Sequence, residues 1–124
     1  MDLDAFTELV AEALESLPEV FKEHLENVLV DVADWPTRDD LLDAGLRSRD
    51  RYSLLGLYHG VPLTHRTTEY SAFPDRITIY QRPIEAAVGP DPDAIADQVR
   101  RTVAHEIAHY YGIEDDRLTE LGAY

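Results

Sequence analysis

The chain has 124 residues, 25 acidic and 11 basic side chains, a formal net charge of -14 and no cysteine. This length predicts one domain, residues 1–124, and the lack of cysteine excludes disulfides and cysteine-ligated zinc, so any metal must use His, Asp or Glu. The negative charge argues against a nucleic-acid partner, because it repels phosphate groups.

Residues 2–17 predict an amphipathic helix, because apolar side chains recur there at helical spacing with acidic residues between them. The segment lacks the basic start and the continuous apolar run of a signal peptide. No stretch of the chain approaches the ~20 apolar residues that span a membrane. We therefore expect a cytoplasmic protein without a membrane partner.

The middle of the chain predicts short helices and strands. Residues 18–25 predict a helix with proline in its first turn, and the valine-rich, alternating residues 27–34 predict a strand. Residues 37–46 predict a short acidic helix. Residues 52–60 fit either a strand or a turn of helix, and the polar and proline-containing residues 61–75 predict an exposed loop.

The last part of the chain predicts one strand and the longest helix. Residues 76–81 alternate β-branched and polar side chains, as a strand does. The helix should begin after Asp91 as N-cap, with proline at its first position, and run to about Tyr111, where Gly112 ends it. A short helix over residues 115–121 should follow.

The long helix contains the H-E-x-x-H pattern in His105, Glu106 and His109. Positions four apart on a helix lie ~40° and one turn apart, so both imidazoles can point at one cation. Glu106 lies ~100° round from His105, within reach of a water on the metal rather than of the metal itself. The apolar residues of this helix form a separate stripe, which should face the core: Ile95, Val99, Val103, Ile107 and Tyr110.

The pattern continues as H-E-x-x-H-x-x-G-x-x-D, with Gly112 and Asp115 in the last two places. Glycine permits the left-handed turn that bends the chain back toward the metal. An Asp115 oxygen would then complete three protein ligands and leave one position for water, as in catalytic zinc sites. Asp116 is a rival third ligand, and Asp115 could instead cap the last helix.

At this motif the sequence resembles the small bacterial zincin-like metallopeptidases. Residues 54–63 and 74–83 look like other recurring segments of that family, so the resemblance covers roughly residues 28–121. It implies an α+β, minimal zincin-like fold, with a small mixed β-sheet packed against the active-site helix, and zinc as cofactor. The motif is also similar to that of the metzincins, but Met1 is the only methionine, which excludes their Met-turn and argues for a separate branch.

The function predicted on these grounds is a zinc metallopeptidase, a hydrolase that cleaves a peptide or protein substrate with zinc-activated water and Glu106 as general base. The alternative is a zinc-containing peptide-binding or regulatory module without significant hydrolysis. A third, weaker hypothesis is zinc-dependent hydrolysis of a non-peptide amide. The oligomeric state is left open.

Further residues are candidates for the site. His59 and His65 precede the strand and could approach the cleft, and Tyr80 or Tyr111 could donate a hydrogen bond to an oxyanion, although a buried aromatic fits these tyrosines as well. In zincins an edge strand beside the active-site helix binds an extended substrate. Residues 76–81, flanked by prolines, are predicted to be that edge.

Overall fold

The computed structural model describes residues 1–60 and 75–111. Five α-helices and three strands occur in this part of the chain, which confirms the α+β class. The elements follow in this order: α1 (Leu3–Glu15), α2 (Glu19–His24), β1 (Val28–Ala33), α3 (Arg38–Asp43), a 3₁₀ turn (Ser48–Asp50), β2 (Gly56–His59), β3 (Asp75–Tyr80), α4 (Gln81–Val88) and α5 (Pro92–Tyr111).

The longest element, α5, begins as the sequence predicts. Asp91 accepts a hydrogen bond from the Asp93 N–H at 3.3 Å, and the helix starts at Pro92. The ambiguous residues 52–60 contain the strand β2. Helix α4 was not predicted. Of the loop predicted over residues 61–75, residues 61–74 lie outside the described residues, and the prediction is wrong for Asp75, which is buried and begins β3. The helix predicted over residues 115–121 also lies outside the described residues.

The three strands form a mixed sheet in the order β1-β3-β2. β1 pairs with β3 in parallel, with Val30 opposite Ile77, and β2 pairs with β3 antiparallel, with Tyr58 opposite the same residue. β3 is therefore central, and the prediction that it forms the sheet edge is wrong. Pro83 does not protect an edge: it lies in the first turn of α4, where its missing N–H costs no helical hydrogen bond.

The main core lies between one face of the sheet and the helices. The predicted apolar stripe of α5 is buried there from Ile95 to Ile107, although Tyr110 is only half-buried. It packs with Ile77 and Ile79 of β3 and with the buried side chains of α1. Each fully buried aliphatic side chain contributes about 1.5–3 kcal/mol, so these contacts hold α5 firmly across the sheet.

The other face of the sheet carries a smaller cluster around the buried Tyr80, with Leu41 and Leu54. The Tyr80 hydroxyl donates a 2.8 Å hydrogen bond to Asp40 Oδ2. Burial raises the pKa of Tyr80 above its usual value, and the Asp40 carboxylate adds to that shift. For Asp40, burial acts to raise the pKa but is outweighed by the hydrogen bonds from Tyr80 and Thr37, so its pKa lies below its usual value.

Candidate metal centre and base

The two histidines of the motif lie on one face of α5, one turn apart. The ring centroids of His105 and His109 are 6.4 Å apart, with the ring planes 80° to one another. His105 is half-buried and His109 is exposed. The first histidine is thus set by its packing, while the second has room to turn toward a shared ion.

Two imidazoles at this spacing suit zinc. Zn–N bonds of ~2.1 Å at a tetrahedral angle would place the ring centroids about 5 Å apart, so rotation of the exposed His109 side chain closes the remaining distance of about 1 Å. Within residues 1–60 and 75–111, no group of three His, Asp or Glu side chains could hold a metal. The third ligand predicted from the sequence, Asp115 or its rival Asp116, lies outside these residues.

Glu106 lies between the two histidines in sequence, and its side chain is half-buried. Its Oε2 accepts a hydrogen bond from the main-chain N–H of Tyr58 at 3.1 Å. Burial raises the pKa of Glu106 above its ordinary value, while the Tyr58 N–H and the charge on His109 act in the opposite direction. Such a carboxylate is oriented and is more basic than one in water, as a general base requires.

Tyr58 connects β2 to the helix and was missed by the sequence analysis. Its ring stacks on Tyr110 with centroids 4.4 Å apart and planes at 12°. Its hydroxyl donates a 2.7 Å hydrogen bond to Asp75 Oδ2 at the start of β3. These contacts fix the main-chain N–H that holds Glu106. No sequence signal could have identified it, because every residue except proline carries this donor.

Gly56 allows β2 to lie close to α5. A Cβ atom at this position would be 2.6 Å from Thr102 Cγ2 and 3.3 Å from the main-chain oxygen of Thr78. The first distance is shorter than real Cβ contacts, so only glycine fits without movement of a neighbour. The close approach of strand and helix places Tyr58, two residues later, against Glu106.

The structure places two of the other candidates away from this site. Side chains alternate along a strand, so His59 points to the face opposite Tyr58, toward Asp40, whose pKa its charge lowers. Its Nε2 is buried without a hydrogen-bond partner in the described part of the protein. Tyr80 is buried on that same face, so it cannot serve an oxyanion beside Glu106.

The remaining candidates cannot be placed. His65, Gly112, Asp115 and Asp116 lie outside the described residues, as does the side chain of Tyr111. Their predicted roles stay predictions.

Comparison with known proteins gives one family. The sequence profile described as zincin-like metallopeptidase matches residues 25–123, which is most of the chain. The match confirms the family resemblance. No curated protein matches the chain. In the described ranges, none of the helices has the length and apolar character that crossing a membrane requires.

Proposed function

The chain belongs to the family of zincin-like metallopeptidases, and from this premise we propose that it is a zinc-dependent peptidase. His105, His109 and Asp115 are the proposed metal ligands, and Glu106 is the proposed general base. Zinc, when bound, supplies a Lewis acid that polarises the scissile carbonyl and lowers the pKa of water to about 7. The observation that carries the proposal is the half-buried Glu106 carboxylate, held by Tyr58 beside two histidines at ligand spacing.

Glu106 moves one proton twice. The Tyr58 N–H holds Oε2, so Oε1 accepts the proton from the attacking water as its oxygen bonds to the substrate carbonyl carbon. The carboxyl group then donates that proton to the amide nitrogen as the C–N bond breaks. Burial favours this role, because it strengthens the carboxylate as a base. Positioned acid–base catalysis of this kind contributes about 10²–10⁴-fold to rate.

The proposed substrate site is the outer edge of β2. In the described residues this strand pairs with β3 on one side. Leu55 accepts a hydrogen bond from the Tyr80 N–H, so by antiparallel alternation Gly56 directs its N–H and its carbonyl away from β3. An extended peptide can pair with those groups by β-augmentation. Unlike β3, β2 lies at the edge of the sheet that the described residues form, and it lies against Glu106.

Glu106→Gln tests the proposal. Glutamine keeps the size and helix propensity but removes the proton acceptor, so zinc content should persist while cleavage of a peptide library falls about 10²–10⁴-fold. Parent and variant are compared at matched zinc occupancy. Glu12→Gln, the same change on the exposed surface of α1, is the control and should cleave as the parent does.

The possible outcomes separate the functions. Equal cleavage by the parent and Glu106→Gln would contradict the role of Glu106. No cleavage by either protein, with zinc bound in both, would favour the peptide-binding or regulatory module.

A further inference from the structure

One group of arginines differs from the others in its partners. Each described arginine from residue 76 onward pairs with at least one carboxylate: Arg76 with Asp31, Arg82 with Asp34 and Glu85, and Arg100 and Arg101 with Asp97. Arg47, Arg49 and Arg51 are exposed and, like the exposed Arg38 earlier in the chain, form no ion pair within the described residues. Residues 43–51 contain these three arginines and two aspartates, a local excess of positive charge in a chain with 25 acidic and 11 basic residues.

These arginines adjoin two partly exposed aromatic rings. The Arg51 guanidinium lies 4.3 Å from the ring centroid of Trp35 and 5.2 Å from that of Tyr52. The two rings meet edge to face, with centroids 5.0 Å apart, and Tyr52 is 54% exposed. We call Trp35, Arg47, Arg49, Arg51 and Tyr52 the arginine–aromatic patch. Trp, Tyr and Arg are the residue types that most often dominate the binding energy of protein interfaces.

The patch is separate from the candidate metal centre. Trp35 lies two residues after the end of β1, and Tyr52 lies four residues before the start of β2, so both adjoin the sheet end where Ala33 pairs with Tyr80. Glu106 is hydrogen-bonded to the main-chain N–H of Tyr58, which pairs with Ile77 of β3. Three residues of strand, about 10 Å, separate Ile77 from Tyr80 at the patch end. A ligand on the patch would not touch Glu106.

We propose that the arginine–aromatic patch binds an acidic segment of a partner protein. Guanidinium groups form paired hydrogen bonds with carboxylates, and Arg51, already stacked on two rings, loses less freedom on binding than an unconstrained arginine. The rings supply apolar contact beside those charges. The net charge of -14 repels every long polyanion, so a short acidic segment of a protein is favoured over a nucleic acid, whose charge continues along the whole chain. The proposal does not depend on zinc or on hydrolysis.

Trp35 is the only tryptophan, so its fluorescence reports on the patch directly. The probe is a synthetic, tryptophan-free peptide of about ten glutamates, long enough to cross the patch when extended. We expect a saturable change in Trp35 fluorescence at low salt, with affinity that falls as salt rises. A glutamine peptide of equal length should give no change. The absence of a saturable change with the glutamate peptide would overturn the proposal.

A matched pair of variants separates the patch from overall charge. Arg47→Gln/Arg49→Gln should weaken glutamate-peptide binding at least about tenfold, because two charged contacts are lost. Arg100→Gln/Arg101→Gln removes the same charge from exposed or half-buried positions on α5 and should bind as the parent does. Equal weakening in both variants would refute a local site. Tighter binding of an oligothymidylate of equal length would assign the patch to nucleic acid instead.

Discussion

At Gly56, the contact between β2 and α5 has no space for a side chain. We therefore predict that Gly56→Ala pushes β2 and α5 apart. The added Cβ would be 2.6 Å from Thr102 Cγ2, whereas ordinary van der Waals contact begins at 3.4 Å. One of the two elements must therefore move by about 0.8 Å. Thr102 is buried, and its hydroxyl donates to the Gln98 carbonyl at 2.8 Å, so the side chain is not free to turn away.

This displacement has two measurable effects. Overpacking of a well-packed interior costs about 1–3 kcal/mol of the free energy of unfolding. If β2 moves away from α5 by about 0.8 Å along the line from Tyr58 N to Glu106 Oε2, the distance between these two atoms increases from 3.1 Å to about 3.9 Å. That is beyond hydrogen-bond distance. Glu106 would then lose its orientation, so cleavage should also fall.

Thr102→Ser provides the rescue, because it removes the methyl group that the new Cβ meets and keeps the hydroxyl. Alone it should cost about 1 kcal/mol for the lost buried methyl. The double variant moves one methyl group across the contact, so its stability should exceed the sum of the single effects by about 1–2 kcal/mol. Denaturant unfolding measures all four proteins. A Gly56→Ala protein as stable as the parent, or additive costs in the double variant, would refute the reasoning.

Three further predictions concern the metal and the fold. Replacing either motif histidine by alanine should reduce zinc, measured by elemental analysis, from one per chain to a small fraction; full zinc in both variants would contradict the proposed centre. Asp115→Ala should weaken zinc binding in a titration far more than Asp116→Ala, and the reverse order would reassign the third ligand. Asp40 has a lowered pKa in the folded protein, so its charge contributes stability above the unfolded value of about 3.9, and this contribution is lost as pH falls through the folded pKa. The stability advantage of the parent over Asp40→Asn in thermal melts should thus be present at pH 7 and shrink below about pH 4, and an advantage that grows in acid would contradict the assignment.

The elements that the sequence predicted correctly have strong local signals. The apolar period of α5, its Asp91 cap and its first-turn proline all act within a few residues of the chain, as does the valine alternation of β1. Helix α4 has eight residues and depends on tertiary contacts: Gln81, at its start, is buried and donates to the Met1 carbonyl at 2.7 Å. Such long-range contacts leave no local pattern.

The edge position of β3 was predicted wrongly, because it was inferred from the flanking prolines and because the alternation of this strand suits a central position as well. In β3, Ile77 and Ile79 face the main core, while Thr78 and Tyr80 are buried against the other face of the sheet. Tyr80 can be buried on that face because its hydroxyl donates a hydrogen bond to Asp40 inside the protein. Only pairing between distant segments distinguishes a central strand of this composition from an edge strand.

For the candidate site, helical geometry alone predicted that His105 and His109 share a face, as they do. That they bind zinc stays a prediction. The main-chain donor to Glu106 depends on the register of β2 against β3 and on the room left by Gly56. Neither the register nor the space at Gly56 can be predicted from the sequence, because both depend on contacts between distant segments of the chain.

The packing of α5 has a consequence for the relation between metal loading and folding. The helix that carries both motif histidines is anchored by its buried stripe from Ile95 to Ile107, so its backbone order is established by hydrophobic burial rather than by coordination. Zinc fingers differ, because their ligands become ordered only when metal binds, and chelators unfold them. Here the backbone entropy of ordering the two motif histidines is already lost without metal. We therefore expect a chelated chain to remain folded and to take up or exchange its ion as an intact domain.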